Sequence, residues 1–590
     1  MTSLDLALIG NGAIGALVSR DAEIAWMCVP RFDGDPVLCS LIRGDAEPKA
    51  NGAFAVEMVD AAESEQQYMT DSPILVTRMF DSKGGAIEVT DFAPRFLRDG
   101  KTFAPMMLVR KIVRISGSPK VRIRLRPMQH YGAAAIPPVA GSGHVRYSGE
   151  QISLRLTTDA SVDAIVEETP IAVDGAITLI LGPDDEISGS PAKVGDDFLE
   201  RTSRWWRDWV NSLAFPSGWR DAAVRAAITL KLNASEETGA IIAAMTTSIP
   251  EAPNSGRNWD YRYCWMRDAY FVAAALERLG DRATTEQYVG FLTKLVAKTG
   301  SEMGPMYTID GGPIPVERVA SHLAGYRGMG PVRVGNEARV QRQHDVYGEV
   351  ILAAKPLFDE SARDSAAVEL FHTLETLGER AAALFDKPDA GLWELRGTER
   401  VHTFSSVMCW AGCNALAEIA DRLGIGDRAT FWRDIARHIH ETITRRSWNE
   451  RLGAFTAAME GDTLDASLLL MQPLGFLEAG DERFKGTVRA IGRDLRRGDF
   501  IYRYIDTDDF GRPENAFLVC TFWYIDALAA IGDHDEARKL FEHVLSRRNQ
   551  HGLLAEDIDP KTGEQWGNFV QTYSMAGIID SAMRLTSATS

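Results

Sequence analysis

Two glutamates stand where a pair of carboxyl groups could divide acid and base work. Glu394 follows Trp393 in the short connection Gly391-Leu-Trp-Glu-Leu-Arg-Gly397, and Glu556 follows the apolar triplet Leu553-Leu-Ala555, which anchors its loop. An aromatic neighbour and partial burial raise a carboxyl pKa, which suits Glu394 to hold and donate a proton. A protonated carboxyl beside an ionised one is what cleavage of a glycosidic bond uses. The first protonates the leaving oxygen, and the second activates water or attacks carbon. The chain carries 82 acidic residues, so accidental pairs abound, and Asp557 and Asp559 are rivals for the second role.

The surrounding residues suit a sugar. Asn258-Trp-Asp-Tyr-Arg-Tyr-Cys-Trp-Met-Arg-Asp268, Gly325-Tyr-Arg-Gly-Met-Gly-Pro-Val-Arg-Val-Gly-Asn336, Gly391–Gly397, Tyr502-Arg-Tyr-Ile-Asp506 and Gly552–Asp559 gather most of the unusual aromatic and charged side chains. Aromatic rings stack on the C–H faces of a pyranose, and charged groups bind its hydroxyls in charge-assisted hydrogen bonds. Any one cluster could be loop packing with surface ion pairs. Five at one end of a scaffold would be a binding site.

The scaffold is legible from periodicity. Up to about residue 195 the pattern has period two, as in Val121-Arg-Ile-Arg-Leu-Arg126 and Ile87-Glu-Val-Thr90, with short strands broken by Gly, Pro, Asp and Ser. This predicts a β-sandwich over 1–195, joined by a helical linker over 196–216 that contains the Trp-rich stretch Phe198–Val210. From 217 to 590 apolar residues recur at helical spacing. They predict twelve helices, near 217–231, 267–279, 284–299, 344–357, 361–385, 405–422, 428–445, 464–472, 481–497, 515–531, 534–548 and 571–586. Twelve helices in that length suggest an (α/α)6 barrel, so the fold class is multidomain, an N-terminal antiparallel β-sandwich followed by an all-α barrel. The five clusters fall between odd and even helices, so alternation of helix direction puts them all at one end.

Composition removes other classes. Lys and Arg number 64 against 82 Asp and Glu, a net charge of −18, which repels nucleic acid and anionic lipid. No apolar run of membrane-spanning length occurs. The opening Met1-Thr-Ser-Leu-Asp5 lacks a basic and then apolar leader, so a cytoplasmic location is expected. Six cysteines are too sparse for a disulfide framework. Cys409 and Cys413, four apart, have no ligand partners at zinc spacing and read as buried thiols. No metal and no cofactor is expected. Gly10-Asn-Gly-Ala-Ile-Gly15 matches a dinucleotide fingerprint, but the next residues, Ala16–Trp26, read as a hairpin and not as the helix that must receive a pyrophosphate.

At the residues quoted above the chain resembles glycoside hydrolase family 15, which contains glucoamylases, glucodextranases and bacterial or archaeal trehalases. The resemblance spans nearly the whole chain. It includes Ala16–Trp26 and Pro30-Arg-Phe-Asp33 in the sandwich, and Asn258–Ala269, Pro331–Asn336, Asp345-Val-Tyr-Gly-Glu349, Leu392–Gly397, Phe517–Trp523 and Gly567-Asn-Phe569 in the barrel. It implies an inverting, exo-acting hydrolase that releases β-glucose from α-glucosides, with Glu394 as general acid and Glu556 as general base. It also implies that Arg267 and Asp268 hold the terminal glucose, with Trp265 beside them, Arg503 closing the subsite and Tyr261 near the base. Trp393 would pack on the sugar.

An inverting pair needs its carboxyls about 6.5 to 9.5 Å apart. The partner expected is therefore a small oligosaccharide. A glucoamylase-type enzyme acting on malto- or isomalto-oligosaccharides is the first reading, and a trehalase the alternative. A glucosyl transferase or an inactive sugar-binding protein are further ones. Relatives commonly read Gly-Asn-Phe-Pro-Gln-Ala-Phe-Ser-His where this chain has Gly567-Asn-Phe-Val-Gln-Thr-Tyr-Ser-Met575, and Gln and Tyr near Ala457-Ala-Met459. These departures bear on which sugar is bound.

Overall fold

Strands with one apolar face need a second such face to cover it, and the N-terminal residues build two antiparallel sheets that pack together. The computed structural model describes residues 3–44, 51–358 and 365–587. One sheet runs Ala7–Gly10, Gly15–Val18, Glu23–Val29, Ala53–Met58, Lys120–Arg126, Ile171–Ala172, with Asp35–Leu38 also paired to Glu23–Val29. The other runs Pro138–Gly141, His144–Ser148, Ser153–Thr158, Ala176–Pro183, Leu108–Ser116, Ala86–Phe92, Leu75–Asp81, Ala61–Tyr68. Alternation decides what goes inside. Val121, Ile123 and Leu125 are buried, whereas Arg124 and Arg126 reach Glu57 and Glu168. The buried set shares one core with Ile87, Val89, Ile112 and Leu179 of the facing sheet. The glycine motif is the turn of the first hairpin, with Gly10 opposite Gly15, and a strand comes after it.

Pro191 opens the helix Pro191–Asn211 at a position where its missing N–H costs nothing. Phe198, Thr202, Trp206 and Val210, every fourth residue, form its buried stripe. Beyond it, six inner segments close a ring. Met266–Arg278 packs on Asp345–Ala354, then come Thr403–Leu423, Ala466–Met471, Leu518–Ala530 and Thr572–Ser587, and the last returns to the first. Outer helices Arg220–Leu232, Arg282–Thr299, Ser365–Leu384, Gly426–Ser447, Glu482–Asp494 and His534–Ser546 alternate with them along the chain. This is the (α/α)6 barrel. Leu518–Ala530 is buried almost all round, as an inner helix must be, and Glu482–Asp494 on one face only.

Two elements differ from the periodicity. The helix expected at 464–472 is a 3-10 helix, Ala466–Met471, capped where Asp465 accepts from the Ser467 N–H at 3.0 Å and stopped by Pro473. The helix expected at 361–385 is described from Ser365, since 361–364 lie outside the described residues.

The sheets brace the barrel at its first long connection. Trp26 donates from Nε1 to the Met245 carbonyl at 2.7 Å. Arg262 is fully buried, holds Asp260 at 2.9 and 2.8 Å, and reaches the Gly34 carbonyl at 2.6 Å. All six cysteines are free and buried. Among the described residues no helix is long and apolar enough to cross a membrane.

Candidate active site

A pocket opens at the end of the barrel where outer helices hand over to inner ones. Tyr261, Trp265, Arg267, Asp268, Trp393, Glu394, Arg503 and Glu556 all line it, so the structure brings these eight candidates together. Asp557 and Asp559 do not line it. Asp557 is buried behind Glu556, and Asp559 accepts from Lys561 and Thr562 in its own turn.

Local structure places each group. Arg267 and Asp268 lie in the first turn of Met266–Arg278, where a carboxylate meets the positive end of the helix dipole. Glu394 sits in a turn closed by its own N–H to the Gly391 carbonyl at 3.1 Å, and its backbone is left-handed, φ 61°. A non-glycine residue takes that conformation at a cost, which here aims the carboxyl into the pocket. Glu556 precedes Asp557–Ile558, which pairs on one side with Ala516–Phe517 and on the other with Gln565–Trp566. Gly567, φ 77°, closes over it, and a Cβ there would lie 2.6 Å from the Glu556 Cβ. Only glycine fits.

The two glutamates are wired differently. Oε1 of Glu394 accepts from Trp265 Nε1 at 2.6 Å and from Arg267 and Gln343 at 3.4 Å each. Oε1 of Glu556 accepts from the Tyr261 hydroxyl at 2.7 Å, and Oε2 from the Asn568 N–H at 3.4 Å. Tyr261 and Trp265 touch edge to face, ring centres 5.4 Å apart, so one aromatic pair fixes both carboxyls and stands between them. Glu394 keeps 23% of its side chain exposed, whereas Glu556 is 1% exposed.

Burial is therefore the larger force on Glu556. It pushes the carboxyl up to about 8, reinforced by the nearby Glu251 charge and opposed by the Tyr261 hydroxyl, Arg503 and the Asn568 N–H. Burial and the neighbouring Glu556 charge likewise push the Asp557 carboxyl well above its ordinary range, and among the described residues its Oδ2 has no hydrogen-bond partner. Burial likewise lifts Asp268 to about 6, with Arg267 pulling the other way.

Several groups that line the pocket or hold its lining residues escaped the sequence reading. Glu251 holds Arg503 at 2.5 Å and stands 3.9 Å from Arg257. Nothing in its local sequence marks it, because its partner lies 252 residues away. Asp345 pairs with Arg267 at 3.2 Å from the next inner helix, and Gln343 accepts from the same guanidinium at 3.0 Å. Asp465 accepts from Trp393 Nε1 at 3.0 Å and so orients that ring. Trp259 and Phe510 meet edge on at the mouth, centres 4.9 Å apart, under the Arg396 guanidinium. Gln571 and Tyr573 also line the pocket, whereas Val570 and Met575 are buried away from it.

Comparison with known proteins agrees with this geometry. Residues 219–583 match the model of glycosyl hydrolases family 15, and residues 4–171 match a trehalase-like N-terminal domain. The trehalase of Mycolicibacterium smegmatis is 31% identical, over 99% of this chain and 91% of its own. The trehalase of Thermoplasma acidophilum is 30% identical, over 97% of this chain and 98% of its own. Among solved structures, a bacterial glucoamylase complexed with acarbose superposes with a TM-score of 0.71 at 14% identity, covering 99% of this chain and 94% of that one, and so shares the two-part fold. A glycosidase pocket on an (α/α)6 barrel behind a sheet domain, matched end to end, settles the assignment: the chain is a glycoside hydrolase and belongs to glycosyl hydrolases family 15.

Proposed function

We propose that the enzyme hydrolyses α,α-trehalose with inversion. The observation that carries this reading is the end-to-end similarity, sheet domain included, to proteins named trehalase. It reverses the order in which the sequence suggested a glucoamylase-type activity first and trehalose second.

On this reading 217–590 carries the chemistry, and 1–195, joined to it by the linker 196–216, braces it by direct contact. One glucose sits at the pocket floor, its hydroxyls held by Arg267, Asp268 and Arg503 and its faces packed by Trp265 and Trp393. The second lies at the mouth against Trp259 and Phe510. Glu394 is the general acid. All three of its donors converge on Oε1, so its proton sits on Oε2, the oxygen left for the glycosidic atom. Glu556 is the general base. Burial makes it a stronger base than an ordinary carboxylate, and the Tyr261 and Asn568 donors support its ionised form.

As Glu394 protonates the glycosidic oxygen, the C1–O bond breaks. Glu556 takes a proton from water, whose oxygen bonds to C1 from the opposite face. The bound unit leaves as β-glucose and the other as α-glucose, and Glu556 returns the proton to Glu394 through solvent. The test is a comparison of kcat/KM on trehalose, maltose and isomaltose. Trehalose should exceed the others by about tenfold or more, and a preference for maltose or isomaltose would restore the glucoamylase-type reading.

A further inference from the structure

Buried polar atoms in folded proteins nearly always have partners, and an atom left without one in a pocket is a site a ligand can satisfy. Gln571 and Tyr573, at the start of the inner helix Thr572–Ser587, are such residues. Both line the pocket, and they are 0% and 3% exposed. The Gln571 side chain has a fixed sense: Oε1 accepts from the Ser574 N–H at 2.6 Å, which leaves Nε2 as the free end. Among the described residues that Nε2 has no acceptor, and the Tyr573 hydroxyl has no partner of either kind.

Neither group is adrift. Phe271 stacks on the Tyr573 ring, centres 4.9 Å apart, and Trp523 meets it edge on at 5.6 Å. The charges that act on the hydroxyl most strongly are Asp268 and Arg267, which line the same pocket. A rigid ring thus presents an unpaired hydroxyl beside the groups that hold the sugar, and a capped helix end presents an unpaired amide in the same pocket.

We propose that Gln571 and Tyr573 are direct sugar ligands at the pocket floor, which rests on the reading of that floor as a glucose site. Gln571 donates from Nε2 to one hydroxyl oxygen of the sugar, and Tyr573 exchanges a hydrogen bond with a second hydroxyl. Leaving these buried groups unpaired is the cost that binding removes. Tyr573 then fixes which hydroxyl the sugar must carry, because a sugar lacking it leaves the phenol buried and unpaired.

Tyr573→Phe removes one oxygen that has no partner among the described residues, so it should leave Tm unchanged or raise it. It should lower kcat/KM on trehalose about 10- to 100-fold. With the symmetric 2-, 3-, 4- and 6-dideoxytrehaloses, wild type should discriminate against the analogue that lacks the Tyr573 partner by a similar factor. The variant should lose that discrimination alone and keep the other three. Gln571→Glu, which keeps the oxygen that caps Ser574, should lose discrimination at a different position.

A drop on all substrates alike, or a fall in Tm, would mean that Tyr573 is structural and would overturn the proposal, as would an unchanged kcat/KM. Stabilisation by added D-glucose gives a readout that does not need turnover. Wild type should gain Tm and Tyr573→Phe should gain less, and equal gains would overturn the proposal. An enzyme that leaves trehalose intact yet shows this difference would sink the trehalase reading and not the ligand assignment.

Discussion

The environment of Glu556 makes a prediction about stability that is separate from activity. Its carboxyl titrates near 8 in the fold against an ordinary 4.5, so between those values the folded protein binds a proton that the unfolded chain has lost. Stability must then fall as pH rises through that window. For an isolated group the loss between about pH 5 and pH 7.5 is roughly 3 kcal/mol, at about 1.4 kcal/mol per pH unit. Asp557, raised beside it, shares the proton load, which cuts the part assignable to Glu556 to about half. Glu556→Gln cannot ionise, so it escapes this penalty. It also turns an amide N–H toward the Tyr261 or Asn568 donor, a fixed cost on the order of 1 kcal/mol that does not vary with pH. Thermal unfolding of wild type and Glu556→Gln should show the difference in Tm, variant minus wild type, rising by about 1 to 3 °C from about pH 5 to about pH 7.5. A difference that stays flat across that range, or falls, would refute the argument that burial dominates at this carboxyl.

The same contacts set other outcomes. Glu394→Gln should lower kcat on trehalose by about 100- to 10,000-fold and largely spare hydrolysis of α-glucosyl fluoride, whose leaving group needs no proton; equal losses on both would remove Glu394 from the acid role. The acid limb of kcat/KM against pH should lie above the ordinary carboxylate range, because the base must lose a proton held by burial, and Glu251→Gln should move that limb to lower pH by removing the neighbouring charge. Arg262→Met should cost about 3 to 5 kcal/mol of stability in denaturant, since it strands the buried Asp260 charge and cuts the tie to Gly34. Gly567→Ala should abolish most activity while leaving the circular dichroism spectrum intact, because the added carbon displaces Glu556.

Much of this was legible in the sequence, for physical reasons that differ by element. Strict alternation in Lys120–Arg126 and fourfold spacing in Pro191–Asn211 report burial directly, so sandwich and helices could be read off. The eighth helix could not be read so well, since the short apolar run Leu468–Met471 ahead of Pro473 satisfies helical and 3-10 geometry alike. Glu394 and Glu556 stood out through their neighbours in the chain. Glu251 did not, because its meaning lies in Arg503 across the pocket. Local reasoning also placed the lifting environment beside Trp393, whereas Glu556, shut in by Gly567 and the paired strands around it, occupies the drier position. The unpaired state of Gln571 and Tyr573 is a property of the folded pocket alone.

The central claim, acid and base catalysis of trehalose cleavage with inversion by Glu394 and Glu556, is tested most directly by proton NMR of the anomeric signals in the first minutes of reaction. Wild type should release α- and β-glucose from trehalose in equal amounts before mutarotation, and Glu394→Gln and Glu556→Gln should release neither. α-Glucose alone would mean retention, and release undiminished in either variant would mean that the pair does not carry the reaction.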